Sequence, residues 1–233
     1  MKYFVLSIIV SFISLLSANE VLGSIEYVTG NVKVKNEGSI KKNKATTGLS
    51  IKSGDLITTS KKASSKIKLI DGSILILDES STLSFISSVS AEQTEGKIFY
   101  KITSRDAKNS LKIKTPFAII GIKGTTFIVN ASKDSSVTLK EGLIGISSVG
   151  EKFALYREQV QAEFDSYVSK QEAEYKKYKN AQNGYAQVEH TDEFDLKEKH
   201  RISFVANRVN ENSWNEEDDA EFAYFEKLMN ARQ

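Results

Sequence analysis

From Gly23 onward the apolar residues of this chain recur at every second position in short runs, and glycine, asparagine or aspartate interrupts them. A period of two sets alternate side chains on opposite faces of an extended strand, so each run has one face to bury. Ile25 and Tyr27 alternate with polar neighbours, Thr29-Gly30-Asn31 supplies a turn, and Val32 and Val34 resume the alternation, which predicts a hairpin. Ile67 and Leu69, then Asp71-Gly72, then Leu75 and Leu77 predict another, closed by a type I′ turn that needs positive φ at both central residues. The same grammar passes through Leu83 and Phe85, Ile98 to Ile102, Leu111 and Ile113, Ala118 to Ile122, Thr126 to Val129, Val137 and Leu139, and Leu143 to Ile146. About ten short strands without intervening helices predict a mainly β fold, an antiparallel sandwich or roll. The stretch Asn36–Ser50, with Lys41-Lys42-Asn43-Lys44, reads as a solvated loop.

The N-terminus has a different character. Met1-Lys2 precedes an apolar run from Tyr3 to Leu16, and Ser17-Ala18 precedes polar Asn19-Glu20, the three-part form of a secretory signal peptide over 1–18. The run is short for a spanning helix, which takes roughly 20 residues. The expectation is an exported chain, periplasmic or on the surface of a bacterium, with no stable membrane span once the signal is cleaved. With no cysteine, the chain has no disulfide framework, no thiolate nucleophile and no Cys-ligated zinc. Its net charge of +2 hides an asymmetry: residues 19–150 hold 19 Lys+Arg against 12 Asp+Glu, and residues 151–233 hold 12 against 18. The two parts can therefore attract each other. Lys41, Lys42, Lys44, Lys61, Lys62, Lys66 and Lys68 form a basic run suited to a solvated face or to anionic headgroups and polymers. No aromatic interleaving marks a nucleic-acid platform, and none is expected.

The tail over 151–233 reads as an acidic helical region. Tyr156, Val160, Phe164, Tyr167, Tyr175 and Tyr178 fall on one face of a helix over about 151–180, ended by Asn183-Gly184, and that face is a candidate for docking a partner or the β-domain. A second helix over about 213–231 opens with Ser213-Trp214-Asn215-Glu216 in capping-box spacing, and Phe222, Phe225 and Met229 form its apolar stripe.

Several spaced motifs resemble, in order, a known family. Gly30-Asn31-Val32, then Ser53-Gly54-Asp55-Leu56-Ile57-Thr58-Thr59, then Ile67 to Ser73 with Asp71-Gly72, are similar to the opening of the FecR domain. Ile113-Lys114-Thr115-Pro116-Phe117-Ala118, then Gly121 to Val129 with Lys123-Gly124-Thr125-Thr126-Phe127, then Lys140-Glu141-Gly142, resemble its later signature. Lys123 stands where the family commonly has arginine, keeping the charge but losing the planar fork. The resemblance spans about 22–148 and implies a β-domain used for binding in the envelope. The residues themselves suit architecture: Pro116, the only proline, fixes φ at a strand start or bend, and the glycines serve turns.

Catalytic chemistry has little material here. His190 and His200 match neither a base–nucleophile pair nor a helical metal site, Glu189 to Asp195 reads as a solvated linker, and Glu216 to Asp219 as a helix start. Asp55, Asp71, Asp78 and Glu141 act as paired carboxylates only where they converge in space, and two of them lie in turns that account for an acidic residue. No cofactor or metal is expected. The expected function is a non-enzymatic binding or scaffold protein engaging an envelope protein or polymer; an uncleaved N-terminus would make it a membrane-anchored sensory regulator instead, and a wall-active enzyme is the remaining class.

Overall fold

The computed structural model describes residues 20–103, 110–158 and 185–230. In chain order the strands are β1 (Val21–Thr29), β2 (Val32–Lys35), β3 (Asn43–Lys44), β4 (Ser50–Lys52), β5 (Leu56–Thr59), β6 (Ser64–Leu69), β7 (Ile74–Leu77) and β8 (Thr82–Ser87). Next come β9 (Ser90–Glu95), β10 (Lys97–Lys101), β11 (Leu111–Lys114), β12 (Ile119–Ile122), β13 (Thr126–Asn130), β14 (Ser136–Glu141) and β15 (Leu143–Ser147). The tail contributes β16 (Phe153–Glu158), β17 (Tyr185–Thr191), β18 (Glu193–Lys197), β19 (His200–Val205), β20 (Arg208–Ser213) and one helix, α1 (Glu216–Asn230).

The strands form two sheets, one of eleven in the order β17-β16-β20-β19-β14-β13-β10-β7-β6-β1-β4, the other of nine in the order β18-β15-β12-β11-β9-β8-β5-β2-β3. One apolar cluster draws on both: Ile25, Ile67, Leu77, Ile98 and Phe127 from the first sheet, and Val32, Ile57, Leu83, Ile113 and Ile146 from the second. This is the period-two pattern made physical, because the inward residues of each strand reach the facing sheet. The fold is mainly β, as the alternation predicts, with two differences in pairing. β9 with β11 and β16 with β20 run parallel, so the sheets are mixed rather than wholly antiparallel. And β1 and β2 do not form a hairpin: β1 pairs with β4 and β6, β2 with β3 and β5, so the Gly30 turn carries the chain from one sheet to the other.

The β6–β7 hairpin does form, but not around a type I′ turn. Gly72 alone takes positive φ, at 84°, and Asp71 caps the bend by accepting from the Ser73 amide (3.0 Å) and hydroxyl (2.9 Å). Side-chain capping replaces the backbone geometry that a two-residue loop would need.

The tail departs furthest from expectation. Phe153–Glu158, placed on a helix over 151–180 by the sequence pattern, is a strand, and Tyr156 lies on it. Val160, Phe164, Tyr167, Tyr175 and Tyr178 lie outside the described residues. The stretch between the two expected helices, including the expected linker Glu189 to Asp195, holds four strands that extend both sheets: β19 pairs with β14, β18 with β15, and β17 and β20 with β16. Phe153, Leu155, Phe194, Leu196, Ile202, Phe204 and Val209 enter the main core, so the described strands after 151 are built into the sandwich. Its inward residues are apolar at alternate positions, and burial on an already formed sheet outweighs weak intrinsic strand preference.

Candidate binding surface

The signature residues are turn and crossing points. Asp55 is 1% exposed and accepts from Asn36 Nδ2 and the Lys52 amide, both at 2.9 Å, tying the loop after β2 to the turn before β5. Gly54, at φ 82°, lies where a Cβ would strike the Glu37 side chain. Thr115 is buried in the bend between β11 and β12, where its hydroxyl accepts from the Ala118 amide and donates to the Ala118 carbonyl, each at 2.9 Å. Pro116 and Phe117 form the tip of that bend. Gly124, at φ 86°, precedes buried Thr125, whose backbone exchanges bonds of 2.9 and 3.2 Å with Ile102; Lys123 beside it is exposed. Phe127 stacks on Tyr100 at 4.9 Å between centroids. Glu141 is exposed and pairs with Thr126 across a bulge, and Gly142, at φ 97°, lets the chain pass within 2.8 Å of the Gly124 carbonyl, measured from where a Cβ would stand.

One of these turns also shapes a surface. Phe117 packs on Phe204 with centroids 4.5 Å apart, Phe204 on Phe153 at 5.9 Å, and Phe153 on Phe194 at 5.6 Å. Around this aromatic cluster opens a cleft of about 490 Å³, with Pro116 and Phe117 on one wall and Phe204 to Asn207 on another. Val205 is 67% and Val149 48% exposed at its rim, and Lys133, Glu151 and Asn207 supply polar groups. Ser135 Oγ is already committed to the Ser132 carbonyl at 2.8 Å. Half the cleft therefore comes from residues after 150, where the sequence pattern gives no strand. The alternation Ile202, Phe204 followed by Ala206-Asn207, with Ala206 at φ 54°, was the signal that could have revealed its outer wall.

Helix α1 covers the outer face of the larger sheet. Phe222 and Phe225 are buried with Ile76, Phe99 and Ile128, joined at the edge by Trp214, Leu228 and Met229. Phe225 stacks on Phe99 at 5.6 Å. Charges line the same contact: Lys97 pairs with Glu221, Lys140 with Glu226, and Lys66 Nζ donates to the Met229 carbonyl at 2.8 Å. The N-terminal cap differs from the expected Ser213 and Glu216. Asn215 Oδ1 accepts from the amides of Glu217 (2.8 Å) and Asp218 (3.1 Å), and Asp218 Oδ2 accepts from the Asn215 amide (3.0 Å). Asp218, fully buried, takes a further bond from Arg201 at 3.1 Å.

The remaining candidates stay apart. Asp55, Asp71 and Asp78 are held in separate turns, Asp78 accepting from the Tyr224 hydroxyl at 3.2 Å. Burial lifts the Tyr224 phenol above its ordinary range, with the Asp78 charge adding to it, and full burial lifts that of Tyr100 well above it. Tyr156 lies under Arg208, whose guanidinium carbon is 4.2 Å from the ring centroid. Of the basic run, Lys66 and Lys68 pair with Glu26 at 3.0 and 3.7 Å. Among the described residues no three His, Asp or Glu side chains come together as a metal cage.

No curated protein matches this sequence. Two crystal structures of a candidate anti-sigma factor from Parabacteroides distasonis ATCC 8503, at 1.65 and 2.50 Å resolution, are similar to it with 13% identity and a TM-score of 0.47. The match covers 72% of this chain and 64% and 63% of theirs, so the chain spans less than two thirds of their length. A family profile matches inside the sandwich, from the buried Asp55 to the strand that follows Gly142: residues 55–145 are an FecR domain, the family described as FecR protein.

Proposed function

We propose that this protein is an exported, non-enzymatic binding or scaffold module that engages a protein or polymer of the bacterial envelope through the aromatic cleft. The observation that carries the reading is the joint construction of that cleft: the Thr115–Ala118 bend of the FecR domain supplies one wall and the tail strands supply the other. An aromatic floor with exposed valines and a few polar rim groups suits an apolar side chain or a sugar face with its backbone at the rim. Binding rather than turnover is favoured because the cleft's hydroxyl, Ser135, donates to the Ser132 carbonyl rather than to a base.

The test is in-cell crosslinking with a photoreactive residue at Val205, comparing the parent chain with Phe117→Ala. Capture of one envelope component from the parent, reduced at least about tenfold in Phe117→Ala, matches loss of an aromatic anchor. Equal capture by both would remove the cleft from the function, and turnover of wall material by the purified protein would replace binding with catalysis.

A further inference from the structure

The end of the sandwich opposite the cleft has a different chemistry. The chain enters it at Glu20, after residues 3–16, which are almost wholly apolar in sequence. Backbone bonds fix what surrounds that point: the Ser53 amide donates to the Glu20 carbonyl (2.9 Å), the Ile70 amide to Leu22 (2.9 Å), and Ser53 Oγ to Ile86 (2.7 Å). Gly54 abuts Glu37, so the loop over 36–42 between β2 and β3 stands here too. Gly142 lies against Thr125, which pairs with Ile102 at the same end. Five of the nine exposed large apolar side chains among the described residues thus gather at one end: Val21, Ile40, Ile70, Ile86 and Leu143. Ile40, at the loop tip, is 99% exposed.

Beside Ile40 runs a ladder of lysines. Lys33 stands directly opposite Lys44 across the β2–β3 pair, and continuing that register sets Lys35 beside Lys42, with Lys41 following. None of these five has an ion pair among the described residues, although Glu20 and Glu37 stand at the same end. Like charges opposite each other destabilise a strand pair. Edge lysines do guard a sheet against edge-to-edge association, and that accounts for Lys44 on the edge strand β3. It does not account for an isoleucine held wholly in water between Ser39 and Lys41. An aliphatic tip skirted by ammonium groups is the chemistry of interfacial membrane docking, where the tip enters the acyl boundary and the lysines meet anionic headgroups.

We propose that this end of the sandwich docks on an anionic lipid surface, with Ile40 entering the interface and Lys35, Lys41 and Lys42 engaging the headgroups. β11 runs from Leu111 at this end to the Thr115 bend at the other, so docking aims the aromatic cleft away from the bilayer. The proposal is independent of what the cleft binds.

The chain has no cysteine, so Ile40→Cys carrying an environment-sensitive fluorophore reports one position, and Val205→Cys reports the opposite end. Full-length protein is mixed with phosphatidylcholine vesicles, with vesicles containing about a third phosphatidylglycerol, or with soluble polyphosphate. A blue shift at position 40 with the anionic vesicles, lost in high salt and absent at position 205, is the expected result. Combining Lys35→Gln, Lys41→Gln and Lys42→Gln is expected to raise the lipid needed for half the shift by about a hundredfold, at about fivefold per lysine. No shift at position 40, equal shifts at both positions, a shift indifferent to lipid charge, or one unaffected by the lysine changes overturns the proposal. An equal shift with polyphosphate assigns the lysines to a soluble polyanion instead, and also overturns it.

Discussion

Truncating Phe225 to alanine should release helix α1 while leaving the sandwich folded. The ring is fully buried, stacked on Phe99 at 5.6 Å, in a cluster that otherwise rests on Phe222, Ile76 and Ile128. Replacing a buried phenylalanine by alanine costs about 3–5 kcal/mol, from lost transfer energy and the cavity left behind. The ion pairs beside it contribute less: Lys97 and Glu221 side chains are 33% and 18% exposed, Lys140 and Glu226 31% and 40%, and such pairs are worth about 0.5 kcal/mol each. The apolar part of the helix–sheet contact rests on this one cluster, so losing one of the helix's two buried rings removes a large share of the docking energy. Hydrogen exchange read by mass spectrometry should then show the amides of α1 losing protection in Phe225→Ala, with β10 and β13 still protected at their sandwich face. The paired change Lys97→Ala with Glu221→Ala should leave α1 protected. The reasoning fails if Phe225→Ala loses less than about 1 kcal/mol of stability, or if the charge variant releases the helix more readily than the ring variant does.

Gly142→Ala should cost about 2–3 kcal/mol in denaturant unfolding, because φ 97° is strained for alanine and its Cβ would sit 2.8 Å from the Gly124 carbonyl; a loss under about 0.5 kcal/mol would mean that the crossing relaxes freely. Thr115→Val should cost about 1–2 kcal/mol, since the Ala118 amide loses its acceptor in a buried bend, and the signal at Phe117 should broaden in NMR. Tyr100 is held neutral by burial, so its folded-state pKa lies above the unfolded one; its contribution is complete below the ordinary tyrosine range of about 10 and is lost as pH climbs above that. Tyr100→Phe, which also removes a 2.9 Å bond to Gln93, should therefore be less stable at pH 7 yet lose less on going to pH ~11.5, and parallel alkaline curves would refute this. Asp218→Asn should destabilise by about 1–3 kcal/mol, as Arg201 loses a fully buried charged partner, with the thermal midpoint as the readout.

Much of the fold was legible from period-two alternation between Gly23 and Ile146, where turns with glycine or aspartate separate the runs, and the ordered motifs around Asp55, Thr115 and Gly142 pointed to the FecR domain. What alternation could not supply was partnership. Thr29-Gly30-Asn31 looks locally like a hairpin, but whether β1 meets β2 or crosses to the other sheet depends on strands far along the chain, because backbone ladders are satisfied by any neighbour of matching register. The tail was misread for a related reason. Tyr156 and Val160 agree with a helical spacing as well as with a strand, and Glu193 to Lys197 carries only two apolar residues, so nothing local reveals that β14 and β15 offer free edges to be extended. The aromatic cleft was invisible for the same cause, since Phe117 and Phe204 are brought to 4.5 Å only by that extension. The lysine run was visible as charge, and only strand register separated Lys66 and Lys68, which pair with Glu26, from the lysines left beside Ile40. Sequence by itself determined the strand character and the turn positions between Gly23 and Ile146, the final helix and the family of the domain, because each depends on local periodicity or on residues that only one backbone shape accepts. Tertiary structure alone decided which strands meet, where the tail goes and which side chains share a surface, because hydrogen-bonded edges and buried faces are long-range choices settled by total burial.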